Sequence, residues 1–312
     1  MPCLDKEWLN VNKRPLPLMN QVKEFSHSFP LTGQFLLHRY LKKHLGIEME
    51  LIKGKFQNQN THPSIIHFSV NKAATQFIRS LLMRCAGENG MTMIGLAEYA
   101  FHTKFPYLDR LSASEMEKYQ YLFKPTGYIY SVFGGMVEGI LELEKYKVIL
   151  VLRDPRDVLV SEYYSYGFSH SEPSHFGNKY NDFMKLRRKA RSISIDEYVE
   201  SESDRLYANY QRYCMLLLDR YPHVFVTKYE DMTLDFPAWL KEILDYTELN
   251  ISNTLFTSLV DEAGRSKPKQ ENIHQHIRKG TPGDFKEKLE AKTIENLNSK
   301  FLQLLSRFGY VL

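Results

Sequence analysis

The chain has 312 residues, 43% of them apolar, which is enough for one large hydrophobic core. Its 41 basic and 37 acidic side chains leave a formal net charge of +4, which is too mild to indicate nucleic-acid binding but is compatible with a small anionic ligand. The three cysteines, Cys3, Cys85 and Cys214, lack the spacing of a metal site and favour a reducing compartment.

The composition is even along the chain, with no linker rich in proline, glycine or serine, so we predict a single domain over residues 1–312. The first residues lack the apolar segment of a signal peptide, and no window has the apolar length of a membrane span. The sequence therefore predicts a cytoplasmic protein without a membrane span and without a nucleic-acid partner.

Five short, apolar runs rich in β-branched residues and bounded by turn residues predict strands. They are Ser64–Val70, Met91–Gly95, Gly127–Phe133, Lys147–Arg153 and His223–Tyr229. Segments with helical periodicity lie between these runs. This alternation predicts an α/β fold in which a central parallel sheet is flanked by helices.

A first candidate anion site follows the first strand, in the stretch "NKAATQF". Lys72 can supply a positive charge at the strand-to-helix junction, and the Thr75 hydroxyl can add a hydrogen-bond donor. The backbone N–H groups of Ala73, Ala74, Thr75 and Gln76 can surround a phosphate. Both alanines are expected at negative φ, because the loop contains no glycine. Taken alone, an ordinary turn explains the same residues.

A second candidate site follows the fourth strand, in "LRDPRDVLVSEYY". Arg153 offers a planar fork of donors to a phosphate, and Ser161 lies about two helical turns later. Asp154 and Pro155 have the residue types of an N-cap and of the first helical position, and Asp157 strengthens the first turn. A capped, salt-bridged helix start is the alternative interpretation.

A third candidate site is the turn in "HIRKGTPGDFK". Arg278 and Lys279 precede Gly280, whose backbone N–H adds a donor to the two cations, so the turn can wrap an anion. An exposed basic turn is the alternative. A further basic run, Met184–Ser192, is expected to be a solvated face rather than an anion site.

Taken together and in this order, the three segments resemble the family of sulfotransferases that use 3′-phosphoadenosine 5′-phosphosulfate (PAPS), in particular its cytosolic and bacterial members. "NKAATQF" looks like a divergent form of the family's PKSGTTW loop, in which Lys72 and Thr75 match. "RDPRDVLVSEYYSY" is similar to the 3′-phosphate segment, and "RKGTPGDFK" differs from RKGxxGDWK only at Phe285. "YEDM" resembles the segment whose tyrosine, here Tyr229, lies near the adenine. The resemblance runs over Ser64–Lys286.

The resemblance implies a single α/β domain with P-loop-like architecture that transfers the sulfuryl group of PAPS in line to a hydroxyl or amine of a small-molecule acceptor. Lys72 would neutralise the charge that grows on the bridging oxygen of the leaving 3′,5′-bisphosphate (PAP), and no metal is required. Residues 1–60 would pack on or near the acceptor side. The residues that would hold the 3′-phosphate are Arg153, Ser161, Arg278, Lys279 and Gly280.

The catalytic base is the point at which the resemblance fails. Cytosolic members carry a histidine in the strand before the arginine segment, and "GYIYSVFGG" has none. Glycan-modifying members carry a glutamate some two dozen residues after the loop lysine, which matches Glu98 in "GLAEYAFHTKF". We therefore expect Glu98 to be the base, with His102 one helical turn later as the alternative. Both could instead be surface polar groups.

Two other functions are compatible with parts of this pattern. A P-loop kinase would need the glycines of GxxxxGK[ST] and a serine or threonine directly after the lysine, and the loop has neither. A non-catalytic module that binds PAPS or PAP would explain the missing histidine. The sequence specifies neither the acceptor nor the oligomeric state.

Overall fold

A sheet of five parallel strands lies at the centre of a single domain. The computed structural model describes residues 30–173, 179–266, 271–273 and 278–311. In the sheet the strand order is β2-β3-β1-β4-β5. The strands are β1 Ile65–Ser69, β2 Thr92–Ile94, β3 Tyr128–Phe133, β4 Lys147–Leu152 and β5 Phe225–Lys228. Each lies within its predicted range, so the predicted α/β fold with a central parallel sheet is confirmed.

Helices connect and flank the strands, as the alternation in the sequence predicts. They are α1 Pro30–His44, α2 Gly46–Ile52, α3 Thr75–Glu88, α4 Leu96–His102, α5 Ala113–Met116, α6 Pro155–Tyr164, α7 Tyr180–Ser192, α8 Ile195–Tyr213, α9 Tyr229–Leu234, α10 Phe236–Thr247, α11 Asn253–Ser266, α12 Phe285–Lys288 and α13 Ala291–Phe308. Within the described ranges, no helix combines the length and the apolar character needed to cross a membrane.

Strands β1 and β4 form the buried centre of the sheet. Every residue of β1 is buried, and the strand pairs with β3 on one side and with β4 on the other. His67 belongs to this strand and is fully buried, and its Nδ1 lies 2.9 Å from the hydroxyl of Ser131. Burial lowers the pKa of His67 to about 3, so this histidine is a neutral core residue at physiological pH.

Arg156 fastens the C-terminal helix to the start of α6. Its guanidinium pairs with the Asp154 carboxylate at 2.6 Å and is 1% exposed. It also donates to the Asn298 side chain and to the Val311 carbonyl, both at 2.6 Å. Asp154 accepts the backbone N–H of Arg156 and so caps α6, as its residue type predicts. Arg156 therefore joins the start of α6 to α13 and to the chain that follows this helix.

Helix α6 continues into a π-helical turn, Ser165–Ser169, that the basic helix α7 holds in place. Arg187 donates to the Tyr166 carbonyl at 3.1 Å, and Arg191 donates to the Gly167 carbonyl at 2.7 Å. A π-turn leaves carbonyl groups that need donors from outside the helix. The prediction of a solvated basic face is wrong for Arg187, which is buried, whereas Arg191 is exposed and also satisfies a carbonyl of the π-turn.

Candidate active site

The three predicted anion-binding segments meet beyond the carboxyl ends of β1 and β4. Arg153 donates from Nη1 to the carbonyl of Lys72 at 2.6 Å, which joins the first two segments. The Asp157 carboxylate accepts the backbone N–H groups of Gly283 at 2.6 Å and Phe285 at 3.0 Å, which joins the second segment to the third. Asp157 therefore holds the third segment in place as well as belonging to the first turn of α6.

The loop after β1 takes a conformation that the sequence does not predict. Lys72 has a φ of 69° and Ala74 a φ of 56°, whereas Ala73 between them is not at positive φ. The expectation of negative φ is therefore wrong for Ala74, and a left-handed residue without glycine costs about 1–2 kcal/mol. An alternation of left- and right-handed residues is the backbone pattern of anion-binding nests. The loop thus has two left-handed residues, as such a nest requires, in a sequence without glycine.

The Lys72 ammonium lies against the start of the π-turn. It donates to the hydroxyl of Ser165 at 2.8 Å. Burial lowers the pKa of Lys72 to about 8; the Glu162 carboxylate acts in the opposite direction, and the Arg153 guanidinium lowers it further. The lysine is thus charged at neutral pH and loses its proton more readily than a solvated lysine.

Arg153 is a buried cation whose donors are not all used. Its side chain lies over the ring of Tyr229, with 4.3 Å from the guanidinium carbon to the ring centre. The Asp157 carboxylate lies 3.8 Å from one terminal nitrogen. Its buried Nε has no hydrogen-bond partner among the described residues. A buried donor in this state is costly unless a ligand engages it.

The third segment places its cations among carboxylates. Arg278 pairs with Glu271 and Asp284 and lies 4.3 Å from the centre of the Tyr164 ring. Lys279 contacts Asp284 at 3.1 Å and Glu287 at 2.6 Å. Gly280 has a φ of 70°, a conformation that favours glycine. The two cations are therefore positioned on a turn fastened by Asp157 rather than extended into solvent.

Two of the remaining predicted cofactor residues begin α3, and the third lies in the second turn of α6. Thr75 begins α3 and is half-buried, and Gln76 beside it is exposed. Ser161 is half-buried on α6, one helical turn before Ser165. Their contact with a phosphate stays a prediction.

Glu98 and His102 lie on α4, so the segment is helical as expected. Glu98 pairs with Arg79 of α3 at 2.6 Å and keeps about a third of its side chain exposed. His102 is buried, with its ring centre 5.8 Å from that of Tyr40 and 4.9 Å from that of Phe101. A surface role therefore does not describe His102. The role of base stays a prediction for both residues.

Three residues of this site escaped the sequence analysis, namely Asp157 as a tether, Glu162 and Ser165. Ser165 lies four residues after Ser161, and this spacing places both on one helix face, a signal that was available. Glu162 is fully buried in a helix that follows a central strand, and only the fold shows which cations surround it. Within the described residues, no cluster of His, Cys, Asp or Glu has the grouping of a metal site.

Comparison with known proteins gives the family. The sulfotransferase domain profile matches residues 100–309, about two thirds of the chain. No curated protein sequence matches. Mouse sulfotransferase SULT7A1, solved with PAP, is similar over 82% of this chain and 89% of its own, at 16% identity and a TM-score of 0.46.

Two further solved structures resemble the chain at similar levels. Retinol dehydratase with androsterone and inactive cofactor PAP shares 15% identity over 80% of this chain and 82% of its own, with a TM-score of 0.44. Sulfotransferase STF9 from Mycobacterium avium shares 12% identity over 90% of this chain and 83% of its own, with a TM-score of 0.47. The domain match over most of the chain is the finding that decides: the chain belongs to the sulfotransferase family of enzymes.

Proposed function

We propose that this sulfotransferase moves the sulfuryl group of PAPS to a hydroxyl or amine of a small-molecule acceptor and releases PAP. The observation that carries the proposal is the position of Arg153. It is buried beyond the end of β4, it is hydrogen-bonded to the Lys72 carbonyl, and its Nε has no partner among the described residues. A phosphate between the three joined segments would satisfy this donor.

The cofactor would bind with its two ends on different segments. Lys72 and the N–H groups of the β1–α3 loop would hold the 5′ end, with Tyr229 near the adenine. The 3′-phosphate would take the place of the carboxylates that now pair with Arg278 and Lys279. The residues proposed for the loop are Lys72, Ala73, Ala74, Thr75 and Gln76; those proposed for the 3′-phosphate are Arg153, Ser161, Arg278, Lys279 and Gly280.

Lys72 would carry the main electrostatic contribution to the transfer. Negative charge grows on the bridging oxygen of PAP as the sulfur–oxygen bond breaks, and a fixed ammonium at this point stabilises the transition state more than the ground state. The proposed mechanism relies on this ammonium, and none of its steps uses a metal ion.

We expect PAP to stabilise the protein against heat and ATP with Mg²⁺ to do so much less. Binding to the folded state adds about 2.7 kcal/mol when free PAP is about 100 times its Kd. Differential scanning fluorimetry with both nucleotides measures the difference. If ATP with Mg²⁺ stabilises the protein and PAP does not, the P-loop kinase is favoured. If PAPS binds but is not turned over with any acceptor of a broad panel, the non-catalytic module is favoured.

We propose that Glu98 is the catalytic base that removes the proton of the acceptor, and that His102 is the second candidate for this role. Glu98→Gln is expected to lower kcat by about 10²-fold or more, because a positioned base contributes 10²–10⁴-fold, and His102→Ala should lower it less. Steady-state kinetics on the best acceptor of a panel of phenols, alcohols and amines gives the ranking. Arg79→Met is the matched control, since it breaks the same ion pair and leaves the carboxylate. An equal loss in the control, or the reverse ranking, would remove Glu98 from this role.

The packing of the N-terminal segment supports the proposal that this segment lies next to the acceptor. Its described part packs on α4, where the buried Glu48 carboxylate accepts the backbone N–H of Gly95 at 2.8 Å, and Tyr40 contacts His102. Helices α1 and α2 would therefore form a wall next to the proposed base. A cytoplasmic location stays a prediction from the cysteine pattern.

A further inference from the structure

Glu162 is a buried carboxylate that the proposed reaction leaves without a role. It lies on α6 with no exposed surface, and one of its oxygens contacts the Arg205 guanidinium of α8. The other oxygen, Oε1, is buried and has no hydrogen-bond partner among the described residues. An ionised carboxylate is kept in such a place only when several cations surround it.

The second cation near Glu162 is Lys72. Ser165 accepts a hydrogen bond from the Lys72 ammonium at 2.8 Å, and Ser165 lies three residues after Glu162 on the continuous helix. Residues with this spacing share a helix face. The backbone N–H of Ser165 donates to the Glu162 carbonyl, which fixes the spacing between the two side chains. The Glu162 carboxylate therefore lies on the face of α6 that meets Lys72 and the β1–α3 loop.

We propose that Glu162 is the positioning residue of Lys72: its carboxylate, anchored by Arg205, holds the Lys72 ammonium at the β1–α3 loop in its charged form. The consequence of this inference for catalysis rests on the proposed function. The arrangement itself, one buried carboxylate that interacts electrostatically with two cations, is independent of the reaction.

The charged groups around the pair agree with this role. Lys72 faces Glu162 on α6 and Arg153 after β4. The Glu162 carboxylate raises the pKa of Lys72, whereas the Arg153 guanidinium lowers it. Glu162 faces Arg205, Lys72 and the Glu202 carboxylate, together with the rings of Tyr166 and Tyr198. Burial raises the pKa of Glu162, while Arg205 and Lys72 favour its charged form. Removing the carboxylate leaves Arg153 and burial as the dominant influences on Lys72.

The test is the pKa of Lys72 in protein with ¹³Cε-labelled lysine, followed by NMR between pH 6 and 11 and identified by comparison with Lys72→Met. The wild-type value is expected at about 8. Glu162→Gln is expected to lower it by about one unit or more, the usual effect of losing an adjacent opposite charge. The affinity for PAP, measured by calorimetry, should then fall between pH 6.5 and 8.5 in the variant more steeply than in the wild type.

Glu202→Gln is the matched control, because Glu202 also pairs with Arg205, at 2.7 Å, and pairs with Lys189 rather than Lys72. The proposal requires the pKa of Lys72 to stay at its wild-type value in this control. If Glu162→Gln does not fold, Glu162→Gln with Arg205→Gln removes both members of the ion pair, which is tolerated better than removing one. The same lowering is expected.

An unchanged pKa of Lys72 in the Glu162 variants, or an equal shift in the Glu202 control, would overturn the proposal. The first result would also arise if Glu162 were neutral in the native protein. Since the titration needs no cofactor, its outcome is separate from that of the proposed function, which fails instead if wild-type protein does not bind PAP.

Discussion

Lys72→Met is expected to lower kcat by about 10²–10³-fold, the usual effect of removing one preorganised donor from a developing negative charge. The apparent affinity for PAP should fall much less, since the proposed contacts with the 3′-phosphate would remain. The physical reason is that the charge on the bridging oxygen reaches its full size only as the sulfuryl group leaves. Steady-state turnover of PAPS and calorimetric titration of PAP measure the two quantities.

The control for this prediction is Lys185→Met. Lys185 lies on α7 with 71% of its side chain exposed and pairs only loosely with Asp182, at 3.7 Å. Its replacement should leave kcat unchanged. Equal losses of kcat and of PAP affinity in Lys72→Met would mean that Lys72 binds the cofactor without acting in the transfer, as expected for a non-catalytic binding module.

Arg153→Ala is expected to weaken PAP binding by about 10–100-fold, because a hydrogen bond to a charged group contributes about 1.5–3 kcal/mol. The loss should be larger for PAP than for adenosine 5′-phosphate, which lacks the 3′-phosphate that Arg153 is proposed to hold. Calorimetry with the two nucleotides separates a local contact from a general loss of the site. Equal losses for both nucleotides would contradict the proposed 3′-phosphate contact.

Arg156 provides the contrast, since it is equally buried and only three residues further along the chain. Arg156→Ala leaves the Asp154 carboxylate buried without its cation, which is expected to lower the free energy of unfolding by about 3–5 kcal/mol. Urea denaturation measures this loss. PAP affinity of the folded variant at low temperature should be close to that of the wild type, because Arg156 points to α13 rather than to Lys72.

Local patterns were sufficient to predict the strands and the start of α6. A run such as Lys147–Leu152 is apolar enough to be central in any parallel sheet, and Asp154 with Pro155 has the chemistry of a helix start wherever it is placed. The order of the three phosphate segments predicted the family, which the domain match confirms.

Features that depend on contacts between distant segments could not be predicted in this way. The left-handed Ala74 follows β1, where the Lys72 carbonyl is fixed by Arg153, 81 residues away. Local preference argues against this conformation, and tertiary contacts override it. Likewise, no periodicity shows that Arg187 and Arg191 bind carbonyls of a π-turn, because the turn itself is an irregularity of the helix.

The tether made by Asp157 has a consequence for the order of folding. Its two backbone partners lie 126 and 128 residues later in the chain. A nascent chain can complete the sheet and bury Asp157 before these partners exist, and the carboxylate would then lie without its donors, at a cost that docking of the last segment removes. If the proposed function is right, high affinity for the nucleotide would thus appear only after residues 278–285 have been made and docked, and the ligand would distinguish molecules with this segment docked from those without it.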